Sequence, residues 1–308
     1  MMINGNSIDF ISVKDITDND CFKISKNLKN AELAASIKNF GMLEKPFLIK
    51  NNDSFYPLTC HNRISIISEL DIAGVEAFIL ETPSYEVFMR NLYMKIYRNE
   101  CGPIGRIKAV KIVQNEFGVN GTALTDLARK TLKIPYEIFS DEKILSRIMG
   151  LPEFLKDYID SKDIPFKIIR DMVLFDDEII SELNRWIEKM QIRLNIFKML
   201  VDFLFDIRKR DGHFKAIEDD VLMKMDDKAL YDYVFRIRYP EYSEKRLKAD
   251  KIITLLTGHG VSIDYPEFFE KDTISFRITI NSKDSGGKIA TLASGLDAKK
   301  IDELLSLL

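Results

Sequence analysis

The run LTCHNRISII, residues 58–67, joins a short apolar stretch that reads as a β-strand to an apolar run that reads as a helix from about Arg63 to Leu70. A strand-to-helix turn leaves backbone N–H groups unpaired at the positive end of the helix dipole. Such a place favours anions, phosphates above all. Cys60, His61, Asn62 and Arg63 add a thiol, an imidazole, an amide and a guanidinium there. Arg63 is the leading candidate, because a planar guanidinium fork matches phosphate oxygens. The competing reading is a loop whose polar groups only cap the following helix.

Working outward, the alternation of Ile8 and Phe10, followed by Val13 and Ile16, suits a strand with a turn at Asp18-Asn19-Asp20. LKNAELAASIKNF (28–40) places Leu33, Ile37 and Phe40 on one helical face, and Gly41 is a natural stop. Phe47 to Ile49 and Phe55 to Leu58 flank Asn51-Asn52-Asp53-Ser54, which is hairpin-turn chemistry. Val75 to Leu80 is a further strand. The expected start is a small α/β domain over residues 1–83 with its polar turn at a strand end.

These residues resemble the N-terminal domain of ParB-type partition proteins and their sulfiredoxin-like relatives. The resemblance rests on the Leu33–Ser36-Ile37–Gly41 helix, the apolar strand after Pro46, the hairpin and the loop ending in Arg63. It implies a phosphate-binding loop formed by Cys60, His61, Asn62 and Arg63, with CTP or ATP and Mg2+ as the implied ligands. His61 and Asn62 match a Gly-His-Asn-Arg variant of that loop. Cys60 stands where the family has Gly, a residue that allows φ > 0 and close approach to phosphate. Asn91-Leu92 matches the Asn-Leu of a Glu-Asn pair that serves metal and triphosphate, but Arg90 replaces the acid. Both departures point to binding more than hydrolysis.

Residues 84–178 read as a helical domain. The apolar spacing of 84–117 breaks at Cys101-Gly102-Pro103. ALTDLARKTL (123–132), with Thr125 as a candidate N-cap, resembles the first helix of a helix-turn-helix, and SDEKILSRIM (140–149) takes the recognition position. Basic residues outnumber acidic ones between 101 and 150, and Arg129, Lys130, Lys133, Lys143 and Arg147 are the candidate DNA contacts. Asp141 and Glu142 in the first turn of that second helix suit its dipole and are explained structurally.

Residues 179–238 read as a long helical region: 179–210 carries an apolar stripe that suits a core or a homodimer seam, Asp211-Gly212 ends it, and 217–237 looks helical again. Residues 239–308 alternate helix and strand: a helix over 245–256, strands at 261–265 and 273–280, and a final helix from 296. Gly286-Gly287-Lys288 between them is a surface loop rather than a phosphate loop, lacking the wider glycine spacing. The fold class is thus α/β plus mainly α.

The chain has 308 residues, 46% hydrophobic and 30% charged, which suits a folded protein of several domains. A net charge of -3 gives no global basic field, so any DNA contact needs a local patch. Cys21, Cys60 and Cys101 show no metal or disulfide spacing, and no two of His61, His213 and His259 are set for a metal. No signal peptide or membrane span is read, so a cytoplasmic protein is expected. Three functions follow: a ParB-like DNA-binding protein of the partition or regulator type, responsive to nucleotide through the Cys60–Arg63 loop; a phosphotransfer enzyme or nucleotide hydrolase using that loop; or a scaffold with lapsed sites.

Overall fold

The computed structural model describes residues 8–17, 19–26, 31–256, 261–264, 273–278 and 297–307. It divides into one unit of residues 1–205 and 214–227 and a second of 206–213 and 228–308.

The first unit opens with strand β1 (Ile8–Ser12), a 3-10 turn (Val13–Asp15) and helix α1 (Ala31–Phe40). The hairpin strands β2 (Phe47–Asn51) and β3 (Ser54–Pro57) lead to α2 (His61–Glu69) and β4 (Gly74–Leu80). The sheet order is β1-β4-β2-β3. β1 runs antiparallel to β4, β4 parallel to β2, and β2 antiparallel to β3. The hairpin turns at Asn52, which sits at φ 54, a conformation Asn tolerates well. Ile37 of α1, Ile67 of α2 and Val75 of β4 form one buried cluster, and Ile11, Leu48 and Ala77 form another with Ile64 and Phe55 against it. Leu33 and Ile37 of the expected helical face pack, but Phe40 at its end is exposed, and in β1 the buried residue is Ile11, while Ile8 and Phe10 are exposed. Residues 8–80 thus form a mixed sheet with two helices inside the first unit. The second helix begins at His61, two residues before the expected start, so His61 and Asn62 belong to the first helical turn.

Helices α3 (Tyr85–Tyr97) and α4 (Pro103–Phe117) follow, broken at the expected Cys101-Gly102-Pro103. Pro103 occupies the first turn of α4, where a missing N–H costs nothing. α5 (Gly121–Asp126) runs into a π-helical turn (Leu127–Thr131), then α6 (Tyr136–Phe139) and α7 (Glu142–Met149). Thr125 is not an N-cap: it lies inside α5, its hydroxyl donating to the Gly121 carbonyl. α8 (Glu153–Ser161), α9 (Phe166–Met172), α10 (Asp177–Lys189) and α11 (Leu194–Asp211) continue the chain. The long stripe is thus two helices broken at 190–193, and Trp186, Phe197, Leu200 and Leu204 are fully buried. That stripe is occupied by the chain's own core. The helical expectation for 217–237 resolves into α12 (Asp219–Leu222) and α13 (Asp227–Arg238).

In the second unit, α14 (Pro240–Leu256), the antiparallel strands β5 (Val261–Asp264) and β6 (Ser275–Ile278) and a last helix (Ala298–Leu305) share a core of Ala249, Leu256, Ile263 and Leu304. The Gly286-Gly287-Lys288 loop and the outer ends of the strand expectations lie outside the described residues, as do residues 28–30 before α1. Among the described residues no helix is long and apolar enough to cross a membrane.

Within the first unit, residues 19–26 fasten the sheet and its two helices to the helices that follow. Phe22 is buried against Tyr56, Phe88 and Phe117. Gly105 passes so close to the Ile24 carbonyl that a Cβ there would overlap it. The buried Asp160 carboxylate accepts the Ile104 N–H at 2.7 Å, capping α4 from α8. Burial raises that carboxyl from 3.8 to about 6, against the opposing pull of the Ile104 and Gly105 N–H groups.

Two outcomes are expected. Gly105→Ala should lower stability by about 1–3 kcal/mol, through overpacking against backbone that has little room to move, as measured by urea unfolding. A carboxyl held above its unfolded value withdraws stability as pH rises from 3.8 to about 6. Asp160→Asn keeps the acceptor and removes the charge, so its urea midpoint at pH 7 should equal or exceed that of the natural chain, with a flatter profile across that window.

Candidate functional site

Helix α2 starts abruptly because β3 ends at Pro57 and the next residues are held to β2. Leu58 N–H donates to the Phe47 carbonyl at 2.9 Å, and Thr59 Oγ1 accepts the Phe47 N–H at 3.0 Å. The chain then reverses at Cys60, whose φ of 63 and ψ of 23 lie in the left-handed region. A residue with a Cβ pays roughly 1–2 kcal/mol there relative to glycine, so the turn has kept a glycine-type geometry without the glycine.

The Cys60 carbonyl accepts the N–H groups of Arg63 (2.9 Å) and Ile64 (3.0 Å). The Cys60 side chain makes no capping bond to the helix. The N–H groups of His61 and Asn62 consequently have no acceptor among the described residues. They are two neighbouring donors at the positive end of a nine-residue helix.

The side chains of the turn are divided among different tasks. The half-buried Arg63 guanidinium donates from Nη1 to Glu44 Oε2 at 2.5 Å and reaches Cys60 Sγ at 3.5 Å. Asn62 points into the fold: its Nδ2 donates to the Lys26 carbonyl at 2.9 Å, and its Oδ1 accepts from Ser25 Oγ at 3.3 Å. His61 is buried, its Nε2 has no hydrogen-bond partner among the described residues, and burial holds its imidazole down at about 3. Burial pushes the Cys60 thiol up, and the Arg63 charge only partly offsets this. A protonated thiol next to a neutral imidazole is a poor nucleophile pair. The sulfur's partners are Thr59 and Arg63, not His61.

Asn91 lies half-buried on α3, beside the exposed Arg90. No hydrogen bond joins Asn91 to the 60–63 turn among the described residues. Nor is any group of three His, Cys, Asp or Glu side chains placed to hold a metal ion there.

Of the candidate DNA contacts, Arg129, Lys130, Lys133, Lys143 and Arg147 are all exposed. Arg129 lies over the Tyr136 ring at 5.9 Å. Lys130 pairs with Asp126 at 2.8 Å. Arg147 donates to the Phe175 carbonyl at 2.6 Å and faces Asp177 at 3.6 Å, which commits it to packing α7. Lys133 and Lys143 meet no carboxylate among the described residues. Asp141 caps α7 by accepting the Lys143 and Ile144 N–H groups, and Glu142 pairs with Lys111, so both acids have structural work. Glu44, Lys26 and Asp160 were not singled out from the sequence. Their partners lie far away along the chain, so no local pattern marks them.

No family model and no curated protein matches the chain. Among solved structures, the C-terminally truncated chromosome-partitioning protein ParB from Caulobacter crescentus complexed with CTP-gamma-S is 12% identical, with a TM-score of 0.26 over 59% of this chain and 99% of that one. The same protein complexed to the centromeric parS site gives 12% identity and a TM-score of 0.30 over 63% and 98%. Likeness this low decides nothing about function.

Two outcomes are expected at this site. Cys60→Gly should be more stable than Cys60→Ala by about 1 kcal/mol in urea unfolding, because only glycine relieves the left-handed backbone. The His61 ring should stay neutral from pH 8 down to pH 5, read from its imidazole NMR shift, as follows from its value of about 3.

Proposed function

We propose that the chain is a ParB-like, DNA-associated protein whose turn at the start of α2 receives the phosphates of a nucleotide. The observation that carries the reading is the left-handed Cys60 with the unpaired N–H groups of His61 and Asn62 and the Arg63 guanidinium one helical turn on. A backbone conformation that disfavours a side chain, kept where it leaves two neighbouring donors unpaired, fits an anion site. Arg63 is held by Glu44, so a phosphate would take over from that carboxylate as its partner. That exchange would release the Glu44 carboxylate beside the phosphates. CTP is the nucleotide tested first, with ATP as the comparison.

In this reading residues 84–178 carry the DNA contact, with α5 to α7 standing where a helix-turn-helix would lie. The one-turn α6 between them makes the connection longer than a tight turn. Arg129, Lys133 and Lys143 are the cations most available to phosphates. Trp186, Phe197, Leu200 and Leu204 of the 179–210 stripe are buried in the chain's own core, which leaves its exposed members, Met199 and Phe205, or another surface for a homodimer. The enzyme alternative is the weaker one, since Cys60 and His61 supply neither a thiolate nor a charged acid.

Labelled CTP and ATP titrated into the natural chain and Arg63→Ala test the proposal. Saturable binding weakened roughly 10- to 100-fold in Arg63→Ala is expected from loss of a charge-assisted phosphate contact. Absence of binding of either nucleotide at millimolar concentration leaves the scaffold reading. DNA binding should weaken as salt rises, and Arg129→Ala with Lys143→Ala should lower the logarithmic salt slope by about 2. Binding that is absent or insensitive to salt would remove the DNA part.

A further inference from the structure

Helix α3 packs through Val87, Phe88 and Leu92, which are buried, with Phe88 against Phe22 and Phe117. Its other face carries Arg90, Tyr93, Met94 and Tyr97 at spacings of three and four residues, with Arg98 at the margin, and all five are exposed. Tyr97 is 88% exposed and Tyr93 51%. Among the described residues neither tyrosine ring packs on another ring, and neither Arg90 nor Arg98 meets a carboxylate. Two bare rings on consecutive turns, with an unpaired guanidinium before and after them, offer π-faces and positive charge together. An acidic peptide would use the arginines and leave the rings idle. A lipid surface would find Met94 as the one purely apolar side chain of the face. A second copy of this chain would add two more arginines and bring only Glu86 from the same face as counter-charge. A single nucleic-acid strand uses both kinds of group, since its bases stack on aromatic rings and its phosphates pair with guanidinium.

We propose that this face of α3 binds single-stranded nucleic acid, with Tyr93 and Tyr97 each taking one base and Arg90 and Arg98 the neighbouring phosphates. The two rings lie about 6 Å apart along the helix axis. Bases in a duplex are stacked on one another at about 3.4 Å and have no free face for a side chain, whereas an unstacked strand can open to the wider step. Stacking on tyrosine does not read the identity of a base, so the site accepts strands of any sequence. DNA and RNA strands share this chemistry. The site uses no residue of the phosphate turn and none of the α5 to α7 cations, so it stands or falls without them.

Short labelled oligo-thymidylate, oligo-uridylate and a duplex titrated into the full chain, followed by fluorescence anisotropy, test this. Saturable binding of single strands is expected, weakened about tenfold by Tyr93→Ala and by Tyr97→Ala and kept by Tyr97→Phe, which retains the ring. Both tyrosines are exposed, so these variants should keep the urea midpoint of the natural chain. Their affinity for the duplex should be unchanged. Arg90→Gln with Arg98→Gln should lower the logarithmic salt slope for single strands by about 1.4. Arg129→Ala with Lys143→Ala should leave single-strand binding intact. Tighter binding of oligo-thymidylate marks DNA as the source and of oligo-uridylate RNA; equal binding means that the face takes either. No saturable single-strand binding, or binding that Tyr97→Ala leaves intact, overturns the inference. Self-association abolished by Tyr97→Ala, without single-strand binding, makes a second copy the occupant and overturns it too. Single-strand binding without duplex binding keeps this inference and removes the proposed α5 to α7 contact, and duplex binding without single-strand binding does the reverse.

Discussion

Lys26 is the residue on which the first unit depends. Its N–H donates to the Glu100 carbonyl at 2.9 Å, and its carbonyl accepts from Asn62. Its buried ammonium donates to both oxygens of Asp163, at 3.0 and 2.9 Å. One residue thus ties the first turn of α2 to the residues after α3 and to those after α8. An ammonium removed from water is tolerated only when paired, and taking away the partner of a buried charge costs about 3–5 kcal/mol. Asp163 is partly exposed, which places this pair toward the lower end of that range. The neighbouring contacts point the same way. Phe22 fills the aromatic cluster, Ile24 rests on Gly105, and the Lys108 ammonium donates to the Asp20 carbonyl.

The proposed phosphate turn stands directly on that clasp. Asn62 leaves its backbone N–H without an acceptor among the described residues and gives its side-chain amide to the Lys26 carbonyl. A ligand that moves the first turn of α2 therefore has to be accommodated at Lys26, and through it at Asp163. Arg63 and Glu44 form the other side of the turn, an ion pair with both members partly exposed, which costs little to exchange. The site combines one rigid member, Asn62, with one exchangeable member, Arg63. That combination suits binding, whereas the raised Cys60 thiol and the neutral His61 ring give it little means for chemistry.

Much of the first 80 residues was legible in the sequence because their signals are local. Asn52 marks the hairpin, the apolar spacing of 33–40 marks α1, and CHNR marks the start of α2. The departure at Cys60 could be read as a glycine position, and its φ of 63 agrees. Long-range partners were not legible. Glu44, Lys26 and Asp160 look like ordinary charged residues until the fold brings Arg63, Asp163 and the N-terminus of α4 beside them. Helix breaks were also missed. The gap at 190–193 lies inside an apolar pattern that continues across it, so periodicity alone extends one helix where there are two. The π-helical geometry at 127–131 leaves the end of the 123–132 helix unchanged and so has no signature in the pattern. The continuity across 190–193 made the 179–210 stripe read equally well as core or seam; Trp186, Phe197, Leu200 and Leu204 are core, while Met199 and Phe205 are exposed.

The central claim is that the N–H groups opening α2 are the phosphate donors. The most direct measurement is the backbone amide NMR shift on adding CTP to the full chain. The largest perturbations are expected at the His61, Asn62 and Arg63 amides, with smaller ones at Lys26 through Asn62. Perturbations confined to other segments, or none at saturating nucleotide, would contradict the claim.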